Sequence, residues 1–412
     1  MISALSRLNP NRSVYHCYKH RIFNNMTLWK QKFPGIKPYY AVKCNNHPFL
    51  LSTLANLGCS FDCASLGEIQ QIGIIAPLLR GRGLWKNFGY GSNLPPIIFA
   101  NPVKLPSDLK VAKKLGVSLM TADCPEELEK IAINYPQSQV ILRIAVDDSQ
   151  SLCKFNKKFG LFIGDPPHSQ LTTFFQKYDS LKHRISLVGV SFHVGSGCSS
   201  ANSYADAIQK SKFIFDYGLK YGVQMKILDI GGGFIQKEPL LTQVSEALQS
   251  SLHQFFGKNN LPQLIGEPGR FMAANVYDLS VPVIGKKREN DRMKYYIANS
   301  VYSSFNCKIF DYAQFNYDIH KVNGEVLSNQ AQPENVQGVW TNQRGTWTDP
   351  QNTTLSTVFG ATCDSLDLIL EDQQLPELEI GDRLFFHNMG AYTLSASSKF
   401  NGIAKPLILY HD

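Results

Sequence analysis

The strongest constraint on the fold is a regular alternation of short apolar runs with amphipathic segments over the first two thirds of the 412-residue chain. Eight runs have the length and composition of buried strands: 38–43, 58–62, 97–100, 117–121, 139–145, 186–193, 225–230 and 263–266. Amphipathic stretches between them, such as 105–115 and 202–221, are typical of helices. About eight strand–helix units in series predict an α/β fold, a (β/α)8 TIM barrel.

The character of the chain changes after about residue 275. Runs such as "MKYYIANSVYS" and "DRLFFHNMGAY" are β-rich and are separated by turn residues. We therefore expect a short N-terminal segment at 1–17, a barrel at 18–275 and a C-terminal β domain at 276–412. The stretch 77–96 is rich in Gly and Pro and interrupts the strand rhythm, which indicates either an insertion or an ordinary long loop.

Composition excludes several classes of protein. No run approaches the ~18 apolar residues that a membrane helix needs, so we expect no membrane association. Eight basic residues precede the first acidic residue, Asp62, and the rest of the chain carries 33 charges of each sign. This balance argues against nucleic-acid binding, although a basic, acid-free start is also typical of a transit peptide.

The nine cysteines are scattered, and none has CxxC spacing. The pattern favours neither a disulfide framework nor a metal site. Reduced thiols of this kind are typical of a cytoplasmic protein, which is the location that we expect.

Polar residues close several of the predicted strands. Lys43 ends the first barrel strand, Asp62 the second, and Arg143 and His193 end later ones. In a barrel these ends surround the active site, and partial desolvation of a lysine there favours a neutral amine that can form an imine with an aldehyde. Taken singly, a surface lysine or a core histidine explains each of these positions equally well.

Three further stretches, "SFHVGSGC", "LDIGGGF" and "GEPGRF", place glycines, a serine and an arginine after late strands. Barrels commonly bind phosphate at the carboxyl ends of their late strands, through backbone N–H groups that a ligand can approach where the residue is glycine. Glu267 adds an acceptor suited to a protonated ring nitrogen. Four features together indicate pyridoxal 5'-phosphate. They are a lysine that can bind an aldehyde, a phosphate site, a carboxylate for a protonated ring nitrogen and an imidazole for a ring face.

These motifs resemble those of a known family, the fold-type III pyridoxal-phosphate decarboxylases, which are barrel relatives of alanine racemase. The likeness is strongest to the eukaryotic ornithine-decarboxylase branch and runs from about residue 13 to the end. It is carried by "YYAVKCN", "FDCAS", "IIFANPVK", "SFHVGSGC", "LDIGGGF", "GEPGRF", "VYSSFNCKIFDYA", "FGATCDSLD" and "NMGAYT".

The resemblance implies roles for the matching residues around the cofactor. Lys43 would form the imine with the cofactor, Glu267 would pair with its ring nitrogen, and His193 would stack on its ring face. Asp62 and Arg143 would lie near the lysine and the ring. The residues implied to hold the phosphate are Ser196, Gly231, Gly232, Gly233, Arg270 and Tyr392.

The resemblance also implies a substrate, L-ornithine, which would be converted to putrescine and carbon dioxide in the first step of polyamine biosynthesis. Asp311 and Asp364 would bind its distal ammonium, and Tyr302 would lie beside them. Cys363 would come from the partner subunit and govern protonation of the carbanion. A homodimer with active sites at the subunit interface is therefore expected.

Two alternatives remain open from the sequence. One is a catalytically inactive paralogue resembling antizyme inhibitors, which acts by binding a regulatory protein; an antizyme is a candidate partner in either case. The other is a decarboxylase of lysine or another basic amino acid. The chain also departs from the family pattern, since its N-terminus is short enough for the leading strand to be missing, and Phe310 replaces a tyrosine.

Overall fold

The computed structural model of the chain describes residues 11–76, 94–164, 169–328, 334–336, 339–341 and 353–412. The chain divides into two compact units. One comprises Asn24–Phe271, and the other combines Met1–Phe23 with Met272–Asp412. The proposed insertion at 77–96 lies outside the described residues, except for its last three positions.

The first eleven strands follow in chain order. They are β1 (Val14–Tyr18), β2 (Ile36–Ala41), β3 (Ser60–Cys63), β4 (Ile97–Phe99), β5 (Leu119–Ala122), β6 (Gln139–Ile144), β7 (Ser151–Cys153), β8 (Ser186–Phe192), β9 (Ser196–Cys198), β10 (Ile227–Asp229) and β11 (Gln263–Gly266). The helices among them are α1 (Lys19–Lys32), α2 (Pro48–Asn56), α3 (Leu66–Ile75), α4 (Pro106–Leu115), α5 (Pro125–Asn134), α6 (Ser169–Leu181), α7 (Ala201–Leu219), α8 (Leu240–Phe256) and α9 (Arg270–Ala273).

Eight of these strands close into a parallel barrel in the order β10–β11–β2–β3–β4–β5–β6–β8. The predicted TIM barrel is thereby confirmed. Its interior is filled by one buried side chain from each of six strands: Tyr39, Ile98, Leu119, Ile141, Ile227 and Ile265. β-Branched and aromatic side chains suit this position, because they pack well on a pleated surface that is covered on both faces.

One strand end differs from the prediction. The first barrel strand stops at Ala41, and Lys43 lies in a short 3-10 turn, Val42–Cys44, that follows it. The turn is held by the Tyr40 hydroxyl, which donates to the carbonyl oxygen of Asn45 at 3.0 Å. Lys43 therefore stands beyond the sheet edge, with 43% of its side chain exposed.

The other unit is built on a β-sheet. Its remaining elements are β12 (Tyr277–Glu289), β13 (Arg292–Ile297), α10 (Cys307–Phe310), β14 (Tyr317–His320), β15 (Val326–Ser328), β16 (Glu334–Val336), β17 (Val339–Thr341), β18 (Thr353–Phe359), β19 (Leu368–Pro376), β20 (Arg383–Phe386) and β21 (Leu407–His411). The main path runs β15–β14–β20–β12–β13–β18–β19, and β16 pairs with β17 separately. This is the C-terminal β-rich architecture that the sequence predicts.

The leading strand, which the short N-terminus seemed to lack, is present. Strand β1 pairs antiparallel with β12 and parallel with β21, so that Val14 faces both Ser280 and Leu407. Tyr15 and Cys17 in β1 are fully buried. Strand β1 is therefore part of the sheet of the β unit.

Among the described residues, no helix combines the length and apolar character needed to cross a bilayer.

Alanine substitutions at two glycines of the barrel unit are expected to have different effects on the free energy of unfolding. An alanine at position 189, in β8, would place its Cβ 2.3 Å from the carbonyl oxygen of Ile227, whereas an alanine at position 73, in α3, meets only Leu94 at 3.9 Å. Gly189→Ala should therefore lower the free energy of unfolding by about 1–3 kcal/mol or more. Gly73→Ala should leave it unchanged or raise it slightly, through higher helix propensity. Thermal melting of both variants checks this; equal melting temperatures would contradict the barrel packing.

Candidate active site

A pair of opposite charges stands at the carboxyl ends of two neighbouring barrel strands. Strands β2 and β3 are paired in parallel, with Ala41 opposite Asp62. The turn after β2 brings the Lys43 Nζ to 3.9 Å from the Asp62 Oδ2. Asp62 is only 2% exposed, and its Oδ1 has no hydrogen-bond partner among the described residues. A buried carboxylate oxygen left in this state indicates that a further donor belongs beside it.

The electrostatics of this pair depend on burial and on Arg143. Burial raises the pKa of Asp62, and the positive charges of Lys43 and Arg143 oppose that rise. Burial also lowers the pKa of the Arg143 guanidinium, against the attraction of Glu267 and other carboxylates. The mouth of the barrel thus contains buried ionisable groups, and a buried ion needs a nearby opposite charge.

Two carboxyl groups face each other at the ends of β10 and β11. Burial raises the pKa of Asp229 to about 7, partly offset by the Gly231 N–H, which donates to Asp229 Oδ1 at 2.9 Å. Burial first, and then the charges of Asp229 and Asp62, hold the pKa of Glu267 well above its usual value. Such a pair resists carrying two negative charges unless a cation lies against it.

His193, directly after β8, is held as a neutral ring. Burial and the charges of Arg143 and Lys43 lower its pKa well below the usual value. The Gly195 N–H donates to His193 Nδ1 at 3.0 Å, so Nδ1 is the acceptor and the proton lies on Nε2. Phe155 packs edge-on against the ring at 4.9 Å. The imidazole is therefore fixed in orientation and can present a face to a flat ligand.

A crowded backbone surrounds the glycine run after β10. Gly231 has a φ of +61°, and a Cβ there would lie 2.2 Å from the carbonyl oxygen of Phe192. A Cβ at Gly232 would lie 2.9 Å from His193 Nε2. Only glycine fits these positions, because a Cβ would overlap the neighbouring backbone or the His193 ring.

Two side chains of the barrel unit, a guanidinium and a hydroxyl, form a hydrogen bond with each other near this loop. Arg270 Nη2 donates to Ser196 Oγ at 3.2 Å, joining the start of α9 to β9. A guanidinium and a hydroxyl beside a glycine-rich turn are donors suited to a phosphate.

The remaining residues predicted from sequence lie in the β unit. Tyr302 donates a short hydrogen bond to Asp364 Oδ2. The Leu366 N–H and then this hydroxyl lower the pKa of Asp364. Asp311 is buried after α10, Cys363 is exposed, and Tyr392 has a left-handed φ of +54°.

Sequence reasoning missed two contributors to the barrel site. Asp229 stands in the quoted motif "LDIGGGF", but only its glycines drew attention. Asp123, at the end of β5, accepts the Gly160 N–H at 2.8 Å and attracts Arg143. A polar residue at a strand end was the signal that could have found both.

Comparison with known proteins identifies the family. Residues 19–274 match the family described as "Pyridoxal-dependent decarboxylase, pyridoxal binding domain". The chain belongs to the pyridoxal-dependent decarboxylases. Its cofactor is accordingly pyridoxal phosphate, and the donors and carboxylates described above fit that group.

Named relatives refine the position within these decarboxylases. The chain is 36% identical to an ornithine decarboxylase of Caenorhabditis elegans, over 99% of this chain and 90% of the relative. It is 37% identical to antizyme inhibitor 2 of Xenopus laevis, over 92% of this chain and 76% of the relative. The arginine decarboxylase of Paramecium bursaria Chlorella virus superposes with a TM-score of 0.83 at 30% identity, covering 100% of this chain and 99% of that one.

The raised pKa of Glu267 predicts how stability of the cofactor-free protein depends on pH. Above the ordinary glutamate pKa, the unfolded chain loses this proton more readily than the folded chain, so rising pH destabilises the fold through this group. Glu267→Gln removes that effect. The melting temperature of the variant relative to the native chain should rise between about pH 5 and about pH 8.

The matched control is Glu129→Gln, at an exposed carboxylate paired with Lys177. Its melting temperature relative to the native chain should not change across the same range. A Glu267→Gln offset that is constant with pH would show that the carboxyl is not desolvated.

Proposed function

We propose that this chain catalyses the pyridoxal-phosphate-dependent decarboxylation of L-ornithine to putrescine and carbon dioxide. The observation that carries the proposal is Lys43, set 3.9 Å from the buried Asp62 at the mouth of the barrel. Relatives that are 35–38% identical to this chain bear the names ornithine decarboxylase or probable ornithine decarboxylase, which supports the proposal.

On this proposal the barrel residues bind and orient the cofactor. Lys43 would hold it through the ε-amine, with Asp62 and Arg143 beside it. Glu267 would face the ring nitrogen, with Asp229 behind it, and His193 would lie against the ring. The barrel residues proposed to hold the phosphate are Ser196, Gly231, Gly232, Gly233 and Arg270. Tyr392, the further residue proposed for this role, belongs to the β unit.

The cofactor, when bound, supplies an electron sink for the bond to the departing carboxylate. The chain supplies the charges around it. Glu267 shares a desolvated region with Asp229 and Asp62, so a protonated ring nitrogen would relieve their mutual repulsion. His193, kept neutral, contributes a flat surface without adding positive charge.

The β unit would bind the distal end of the substrate. Asp364 stays ionised, since its pKa is lowered by the Leu366 N–H and by Tyr302. An ionised carboxylate oriented in this way suits an ammonium group, and Asp311 would supply a second. Cys363 would deliver a proton to the carbon that has lost its carboxylate.

We further propose that these β-unit residues serve the partner's barrel in a homodimer, so that active sites form at the subunit interface. The cytoplasm is the proposed location.

A second candidate function is that of an inactive, antizyme-inhibitor-like protein, which the likeness to antizyme inhibitor 2 of Xenopus laevis supports. An antizyme is the candidate partner in that case, and it could also regulate an active enzyme. The presence of the full set of proposed site residues beyond the lysine favours the enzyme: Asp62, Arg143, His193, Glu267, Arg270, Asp311 and Cys363.

The experiment that decides between them measures carbon dioxide released from carboxyl-labelled ornithine, with lysine and arginine in parallel. The enzyme proposal predicts release from ornithine and its loss, by at least ~10³-fold, in Lys43→Ala. No release from any of the three amino acids by the cofactor-loaded native chain would contradict it and favour the binding protein.

The role of Asp364 makes a separate prediction. Asp364→Asn removes the charge that would pair with the distal ammonium, so kcat/KM for ornithine should fall by about 10²-fold or more. Asp372→Asn is the control, because Asp372 is an exposed carboxylate paired with Arg292 at 2.7 Å. If the two variants lose equal activity in steady-state kinetics, Asp364 does not bind the substrate.

A further inference from the structure

Cys363 contacts a residue to which the sequence motifs assign no role. Asn401 Oδ1 lies 3.5 Å from Cys363 Sγ and 3.4 Å from Cys363 N. A backbone N–H can only donate, so the amide atom facing Cys363 is its oxygen and not its nitrogen. The thiol is therefore the donor in its contact with Asn401.

The backbone at Asn401 is shaped for this contact. Its φ is +52° and its ψ is +17°, in the left-handed region, and Gly402 follows with a φ of +68°. Asparagine tolerates that region better than most residues with a side chain. The turn at 400–402 aims the Asn401 amide at the loop that carries Cys363.

The residues just before Asn401 contact a second predicted site residue. The N–H and the hydroxyl of Ser398 both donate to the carbonyl oxygen of Tyr302, each at 2.9 Å. The rings of Phe400 and Tyr302 pack at 4.3 Å with an interplanar angle of 30°. Tyr302 in turn donates to Asp364. The segment 398–401 thus contacts both the thiol and the tyrosine that orients Asp364.

We infer that Asn401 is a positioning residue for Cys363, and that the segment 398–401 holds Cys363 and Asp364 in a fixed mutual arrangement. The inference rests on the proposed function, in which Cys363 delivers a proton to a single carbon atom. An exposed cysteine side chain has several rotamers. A hydrogen bond from the thiol to the Asn401 amide oxygen selects one of these rotamers. The selected rotamer then fixes the direction in which the proton is delivered.

Two substitutions test the contact without breaking the turn. Asn401→Gly removes the amide and keeps the left-handed backbone, while Asn401→Asp keeps an oxygen in place and makes it negative. Asn290→Gly is the matched control, because Asn290 has a φ of +54° in the exposed turn between β12 and β13. Both positions have a left-handed φ, which glycine adopts readily and aspartate, like asparagine, tolerates.

The first measurement is the rate at which iodoacetamide alkylates Cys363 in the cofactor-free chain, followed by mass spectrometry of the peptide. Cys363 is the exposed member of the nine cysteines, which allows its signal to be resolved. Asn401→Gly should react at least about threefold faster, since the thiol is freed, and Asn401→Asp at least about threefold slower, since a carboxylate repels the reactive thiolate. Asn290→Gly should react at the native rate.

The second measurement is the ratio of carbon dioxide released to diamine formed by the cofactor-loaded enzyme. A proton delivered to the cofactor's carbon instead of the substrate's would leave the nitrogen and two electrons on the cofactor, which would be released as its amine form. Water would supply the oxygen of the aminoaldehyde, and fresh pyridoxal phosphate in the assay would reload the enzyme. The ratio should be one for the native chain and should exceed one for Asn401→Gly.

The outcomes separate the two proposals. Native alkylation rates in both Asn401 variants, or equal changes in the same direction, would overturn the positioning role. A product ratio of one in Asn401→Gly would also overturn it. Absence of any carbon dioxide release from the native chain would defeat the proposed function, while the alkylation rates would still decide whether Asn401 holds the thiol.

Discussion

Burial of like charges at the mouth of the barrel is the constraint on which the rest of the site depends. Asp62, Asp229 and Glu267 stand at the ends of three strands, and burial raises the pKa of each. Lys43 and Arg143 provide the opposing charge. Such a cluster lowers stability, because desolvated ions that are imperfectly paired destabilise the fold. On the proposed function, a cationic ring bound against the carboxylates would reduce that cost, and the charges that weaken the cofactor-free protein would favour binding of the cofactor.

The backbone provides the other half of the arrangement. The glycine run after β10 is packed so closely that a single Cβ would overlap Phe192, His193 or Gly195. Close packing orients His193 and leaves little freedom for the ring or for the glycine run to move. The barrel core, filled by one large side chain from each of several strands, supports these strand ends from below. The packing of the barrel core and of the glycine run therefore determines both the stability of the fold and the geometry of the site.

Periodicity and motifs were enough to predict the barrel, the β unit and the strand ends that carry polar residues. What they could not predict depends on long-range packing. Strand β1 is five residues long, and its partners β12 and β21 lie more than 250 residues away, so no local pattern reveals it. Lys43 lies in a turn and not in the strand, because the apolar run continues past the last ladder hydrogen bond. The sequence could not predict the carboxyl pair of Asp229 and Glu267 or the contact of Asn401 with Cys363, because each joins residues that are neighbours only in space.

The most direct test of the central claim is to trap the cofactor on the chain. Pyridoxal phosphate is added to the cofactor-free protein, the mixture is reduced with borohydride, and the labelled lysine is identified by peptide mass spectrometry. Reduction fixes whichever amine holds the aldehyde. The account predicts stoichiometric labelling of Lys43, and loss of that label when Glu267 and Arg270 are both replaced. Labelling spread over exposed lysines such as Lys182, or no labelling, would contradict it.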